Sequence, residues 1–137
     1  MTLSLEDAAT VLADNFAPWV LELGLRVVRA DEERTVLLLP WSQRLAREGG
    51  ALSGQALMAA ADTATVIAVS AARGGFVPMT TVQQSTSFLR PVVGADVAVS
   101  VELTKLGRRM AFAEITMTPE GAAQPAARAS TVYALLG

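Results

Sequence analysis

Two hydrophobic rhythms divide the chain. Before Pro78 apolar residues recur mainly at helical spacing; after it they alternate with polar ones. Ser4-Leu5-Glu6-Asp7 opens a first helix, with Ser4 as N-cap, acids in the first turn and Leu5, Ala8, Ala9 and Leu12 on one face. That helix ends before Pro18. Leu25–Ala30 and Thr35–Leu39 read as strands joined by the polar turn Asp31-Glu32-Glu33. A loop over Trp41–Gly50 leads to a long helix, Ser53–Ala72, stopped by Gly74-Gly75 and Pro78. Strands then follow at Met79–Leu89, Asp96–Lys105, Met110–Thr118 and Ala126–Leu135, with a hairpin tip at Gly107-Arg108. In Asp96–Lys105 one face is Val97, Val99, Val101 and Leu103, so that strand buries one side.

The long helix is small and apolar on nearly every side and must be surrounded. A curved antiparallel sheet of five or six strands wrapped around it meets that need, an α+β arrangement in a single domain spanning residues 1–137. The run Ala51–Ala72 is also long enough to cross a membrane. Asp62 near its centre, at about 3 kcal/mol on insertion scales, and the amphipathic strands that need a helix to cover argue against a membrane.

Asp62 is the only charged residue between Gly49 and Ala72. An ionised carboxylate taken out of water without a partner costs several kcal/mol, so it is neutralised, paired or used. The chemical reading is a catalytic carboxylate. The structural alternative is one that caps a neighbouring backbone or pairs with a distant arginine.

Composition narrows the chemistry. Hydrophobic residues make up 52% and charged residues 18%, as in a folded chain, and a net charge of −2 gives no basic footprint for nucleic acid. The chain has no cysteine and no histidine. That excludes thiol nucleophiles, Ser-His-Asp and Cys-His hydrolases, His-dependent dehydratases and nearly all transition-metal sites. Acid–base chemistry falls to a carboxylate, Lys, Tyr or water, and no metal is expected. The N-terminal stretch carries Glu6, Asp7 and Asp14 and no basic n-region, so no secretory leader is expected and the cytoplasm is the expected location.

Along the helix, Asp62 shares a face with Gln55, Met58, Ala59, Thr65, Val66 and Val69; Leu57, Ala60, Ala64, Ile67 and Ala71 form the opposite, core face. The Asp62 face is expected to meet a site or a subunit interface. Ser53 caps the helix, leaving the N–H groups of Gly54 and Gln55 to bind an anion or polarise a carbonyl. Gly54 and Asp62 are about 12 Å apart along the axis, too far to act on one carbonyl. If both act together, Asp62 comes from a second chain whose helix runs antiparallel. The expectation is therefore a homodimer, plausibly a dimer of dimers.

Three segments, G-G-A-L-S-G-Q-A-L-M-A-A-A-D-T-A, T-T-V-Q-Q-S-T-S-F-L-R-P and K-L-G-R-R-M-A, resemble in order and spacing the hotdog-fold acyl-CoA thioesterases of the phenylacetate-degradation (PaaI) type. The resemblance runs from about Leu23 to Leu135. It implies the hotdog fold, an acyl-CoA or acyl-carrier-protein thioester as partner, and no cofactor beyond the CoA of the substrate. In the family a His-Gly-Gly motif precedes the catalytic Asp. The His position falls on Ser53, the oxyanion glycine on Gly54, the second glycine on Gln55 and the Asp on Asp62. An upstream Asn falls on Arg47, and a Ser or Thr near the site on Thr81. Arg90 and the tip Gly107-Arg108-Arg109 fall where the family holds the CoA phosphates; alternatively they are solvated edge charges. Ser53 for His and Arg47 for Asn are the two departures that matter, and they alter substrate positioning.

The resulting reading is a thioesterase in which Gly54 stabilises the oxyanion, Asp62 activates water or attacks directly, and Gln55 or Ser53 orients the carbonyl or water. The competing class is a non-catalytic acyl-CoA-binding hotdog protein, favoured by the absent His.

Overall fold

The long helix is bounded by its own sequence. In the computed structural model, which describes residues 3–137, α3 spans Gly54–Arg73 and the Ser53 hydroxyl accepts from the Ala56 N–H at 3.2 Å. Met1 and Thr2, the first residues of the stretch read as carrying no leader, lie outside the described residues. At the other end Gly74 takes φ +78°, open to glycine without steric cost, and the Gly75 N–H reaches back to the Ser70 carbonyl at 2.9 Å, closing the last turn.

Six strands wrap this helix: β1 (Arg26–Ala30), β2 (Thr35–Leu39), β3 (Met79–Phe88), β4 (Val97–Leu106), β5 (Met110–Pro119) and β6 (Ala127–Leu135). They form one antiparallel sheet in the order β1-β2-β4-β5-β6-β3. This is the hotdog fold. The α3 crossover carries the chain from β2 to the far edge, so β1 and β3 are the two edge strands. The core face read from the helix wheel holds: Leu57, Ala60, Ala64 and Ile67 are buried in one cluster with Leu37, Val97, Val99, Ile115 and Met117, and Ala71 is buried as well. Burial of a side chain such as Ile67 stabilises the fold by about 1.5–3 kcal/mol. Although α3 is long and apolar enough to cross a membrane, 72% of that stretch is buried within the fold, as in the core helix of a soluble protein.

Two departures from expectation matter for the site. A short helix α2 (Pro18–Leu21) follows α1 (Leu5–Asp14), where only a helix end before Pro18 was expected. Proline at the first helical position, after an extended Ala17, starts a turn too short to show periodicity. The Asp62 face of α3 is also split. Gln55 and Met58 are exposed and Asp62 is half-buried, but Val66 and Val69 are covered by Ala111, Tyr133 and Leu135 of the chain's own strands, and Thr65 is buried with its hydroxyl on that of Thr131. Only the N-terminal half of that face opens outward, because β5 and β6 curl over the other half.

Candidate active site

Asp62 is neither a cap nor an arginine partner. Its Oδ1 accepts two hydroxyl protons, from Thr81 Oγ1 at 2.9 Å and from the Tyr133 phenol at 2.5 Å. The Tyr133 oxygen also lies 2.9 Å from the Asp62 carbonyl. Oδ2 has no partner among the described residues. One oxygen is thus anchored by neutral donors and the other is left for chemistry.

The sheet builds this anchor. Thr81 and Tyr133 are direct cross-strand partners in the β3–β6 ladder, so both hydroxyls leave the same face. The register then slips between Thr81 and Gln83, with Val82 the extra residue. In an unbroken strand Thr81 and Gln84 would point to opposite faces; the bulge at Val82 turns both toward α3. Gln84 Nε2 accordingly donates to the Met58 carbonyl at 3.1 Å and to Thr86 Oγ1 at 3.1 Å. Burial first, and then the charge of Asp62, push the Tyr133 phenol well above its ordinary range, so near neutrality it serves as a hydrogen-bond donor.

Asp62 lines a shallow, widely open cavity of about 270 Å³ with Trp19, Gln55, Met58, Ala59 and Gln84. Gly54 lines a different cavity of about 370 Å³, with Arg47, Phe88 and Arg90 among its walls. Within one chain, then, Gly54 and Asp62 face separate spaces, as their spacing on the helix requires. The Gly54 and Gln55 N–H groups have no acceptor among the described residues, while the Ser53 hydroxyl already caps Ala56. A Cβ at Gly54 would lie 3.2 Å from Phe88 Cζ, so the ring approaches that backbone as closely as a glycine permits. Arg47 Nη1 donates to the Glu48 carbonyl at 3.1 Å and Arg90 Nη1 to the Pro125 carbonyl at 2.6 Å, and both residues line the Gly54 cavity.

The hairpin tip lies elsewhere. Gly107 donates its N–H to the Met110 carbonyl at 2.8 Å, and its own carbonyl accepts from Arg73 Nη2 at 2.5 Å. The backbone of Gly107 is therefore engaged, and only Arg108 and Arg109 remain exposed. Arg73 ends α3, so the tip sits about 30 Å from Gly54 along the helix axis of the same chain. The structure thus joins Asp62 with Thr81 and Gln55, joins Gly54 with Arg47 and Arg90, and holds Arg108 and Arg109 apart from both. Among the described residues no cluster of three or more acidic, His or Cys side chains could hold a metal. Sequence reasoning missed Tyr133, Gln84 and Trp19; the one available signal was that Tyr133 is the single tyrosine of the chain.

The sequence profile of the thioesterase superfamily matches residues 49–126, from the loop before α3 to the start of β6. A protein from Silicibacter sp. TM1040 assigned as a thioesterase is 26% identical, covering 98% of this chain and 93% of its own at a TM-score of 0.88. Zebrafish thioesterase superfamily member 2 is 21% identical, covering 98% of this chain and all of its own at 0.86. A thioesterase from Pseudomonas aeruginosa is 19% identical, covering 97% and 94% at 0.83. The last two likenesses carry the fold alone. No curated protein matches the chain by sequence.

Proposed function

The chain belongs to the thioesterase superfamily, and from that premise we propose that it is an acyl-CoA thioesterase, cytoplasmic and of the phenylacetate-degradation type, acting as a homodimer without metal. An acyl-carrier-protein thioester presents the same reacting group. The observation that carries the reading is Asp62, with Oδ1 tied to Thr81 and Tyr133 and Oδ2 free on a cavity. Oδ2 takes a proton from water as the water oxygen attacks the thioester carbon; the C–S bond breaks and the thiolate leaves, taking a proton as free CoA. Direct attack by Oδ2 would give an anhydride that water then cleaves. The Gly54 N–H of the other subunit holds the oxyanion. Gln55, on the Asp62 cavity, orients the water or carbonyl.

Three features support the dimer. Met58, midway between Gly54 and Asp62, is 42% exposed although it sits on the core helix. An antiparallel pairing of two α3 helices about Met58 sets Gly54 of each chain against Asp62 of the other. The β3 edge is ten residues long with Val82 and Phe88 exposed, an unprotected edge that pairing across the two-fold covers. The same pairing carries Arg108 and Arg109 of one subunit toward the Gly54 side of the other, where Arg47 and Arg90 lie. Light scattering should give a dimer or dimer of dimers; a stable, active monomer would end the composite site.

A non-catalytic acyl-CoA-binding protein is the second reading, favoured by the Ser53 hydroxyl being spent on its helix cap. Thiol release from a panel of acyl-CoAs separates the two. Catalysis predicts turnover that Asp62→Asn lowers on the order of 100-fold or more, whereas a binding protein retains acyl-CoA and releases no thiol.

A further inference from the structure

Trp19 is 61% exposed, yet the turn that carries it is tied by backbone hydrogen bonds. Pro18 sets the first turn of α2, the Glu22 N–H donates to the Pro18 carbonyl at 3.1 Å, and Leu23 is buried directly after it. Glu22 pairs with Arg44 at 2.7 Å across the cleft. Trp41, the other tryptophan, is pinned through Nε1 to the Gly50 carbonyl at 3.3 Å; Trp19 has no such bond among the described residues. A hydrogen-bonded helical turn thus presents a bare indole.

That indole stands between two cavities. On one side is the Asp62 cavity of about 270 Å³. On the other is a cavity of about 260 Å³ floored by Leu23, Leu45 and Ala56. Only Trp19 and Gln55 line both. The second cavity, mostly apolar in surface although Glu22, Arg44 and Ser53 also line it, lies where an extended acyl chain leaving Asp62 would continue.

The geometry points to Trp19 as the residue that sets acyl length: its ring stands between the Asp62 cavity and the second cavity, restricts the enzyme to short acyl chains, and withholds the space behind it. This rests on the thioesterase reading above. Trp19 touches the acyl end and takes no part in the chemistry.

The test compares kcat/KM for straight-chain acyl-CoAs from acetyl to dodecanoyl in wild type, Trp19→Phe and Trp19→Ala. Each methylene that enters an apolar cavity should gain about fourfold. In wild type the gain should stop where the first cavity is full. In Trp19→Ala it should continue, raising the decanoyl-to-hexanoyl ratio on the order of tenfold or more, with Trp19→Phe between the two. Light scattering checks that each variant keeps the wild-type assembly, and Trp19→Leu replaces Trp19→Ala if the latter fails to fold. Intrinsic fluorescence, titrated with a non-hydrolysable hexanoyl thioether of CoA, should change in wild type and stay flat in Trp19→Phe. An unchanged length profile, or an equal loss on every chain length, overturns the proposal. A wild type that cleaves none of these thioesters overturns the hydrolase reading instead.

Discussion

Asp62→Asn separates chemistry from architecture more cleanly here than such a change usually does. Asn retains an acceptor oxygen for the Thr81 and Tyr133 hydroxyls, so neither anchor is lost. Each bond falls from one made to a charged group, about 1.5–3 kcal/mol, to a neutral one of about 0.5–1.5 kcal/mol. Removing a half-buried charge offsets that weakening, since desolvating a fully buried ion costs several kcal/mol. The melting temperature should therefore hold within a few degrees or rise. Turnover should fall on the order of 100-fold to 10,000-fold, the scale of a lost general base. A second variant tests where the oxyanion donor comes from. Gly54 is the first residue of α3 and Ser53 before it is extended at φ −67°, ψ 150°, a setting that accepts proline. Gly54→Pro deletes the N–H while keeping the helix, provided the half-exposed Phe88 ring swings aside. It should cost about 100-fold to 1,000-fold in kcat. Coexpressing the two dead variants assembles mixed dimers with one intact composite site, and about a quarter of wild-type thiol release should return. A mixture no more active than its parents would refute the shared site. An Asp62→Asn protein that melts early yet turns over normally would refute the chemistry.

Three further expectations test other parts of the structure. Tyr133 is held above its ordinary value of 10.0 by burial and then by the Asp62 charge, so the folded chain keeps a proton that the unfolded chain releases. Stability should be full below about pH 10 and drop by about 1.4 kcal/mol per pH unit above it; denaturant titrations of wild type should show this slope and Tyr133→Phe should lack it. Ser70 Oγ is the one buried side-chain polar atom without a partner among the described residues, so Ser70→Ala should stabilise by about 1 kcal/mol and raise Tm by a few degrees; a lower Tm would reveal a partner. Arg108→Glu with Arg109→Glu should raise KM for acyl-CoA, leave kcat intact, and spare short thioesters that lack the nucleotide. An unchanged KM would mark them as solvated edge charges and shift the phosphate contacts to Arg90.

What the sequence made legible follows from how local its signals are. Ser53, Gly74 and an uninterrupted apolar run bound α3 within a residue, because capping and glycine chemistry act inside one turn. Thr35–Leu39 was read to the residue for a similar reason: a polar turn precedes it, proline follows it, and apolar residues fill it. Asp62 stood out because a charge amid small apolar residues is costly wherever the helix goes. The helix wheel also separated the core face correctly. It failed on Thr65, Val66 and Val69, since a wheel shows which residues share a face but not how far a sheet curls over it.

The partners of Asp62 lay beyond any local pattern. Thr81 is 19 residues away in sequence and Tyr133 is 71. Strict alternation in β3 would have put Thr81 and Gln84 on opposite faces, and the residue that reconciles them, Val82, is an ordinary exposed apolar side chain with no turn chemistry to announce a bulge. The consequence reaches the function. Without that slip in register, either Thr81 would leave Asp62 or Gln84 would leave the Met58 carbonyl, and one wall of the cavity would open. The carboxylate is legible from composition alone, but its poise, with one oxygen fixed and one free, is a property of strand register, which only the paired sheet defines.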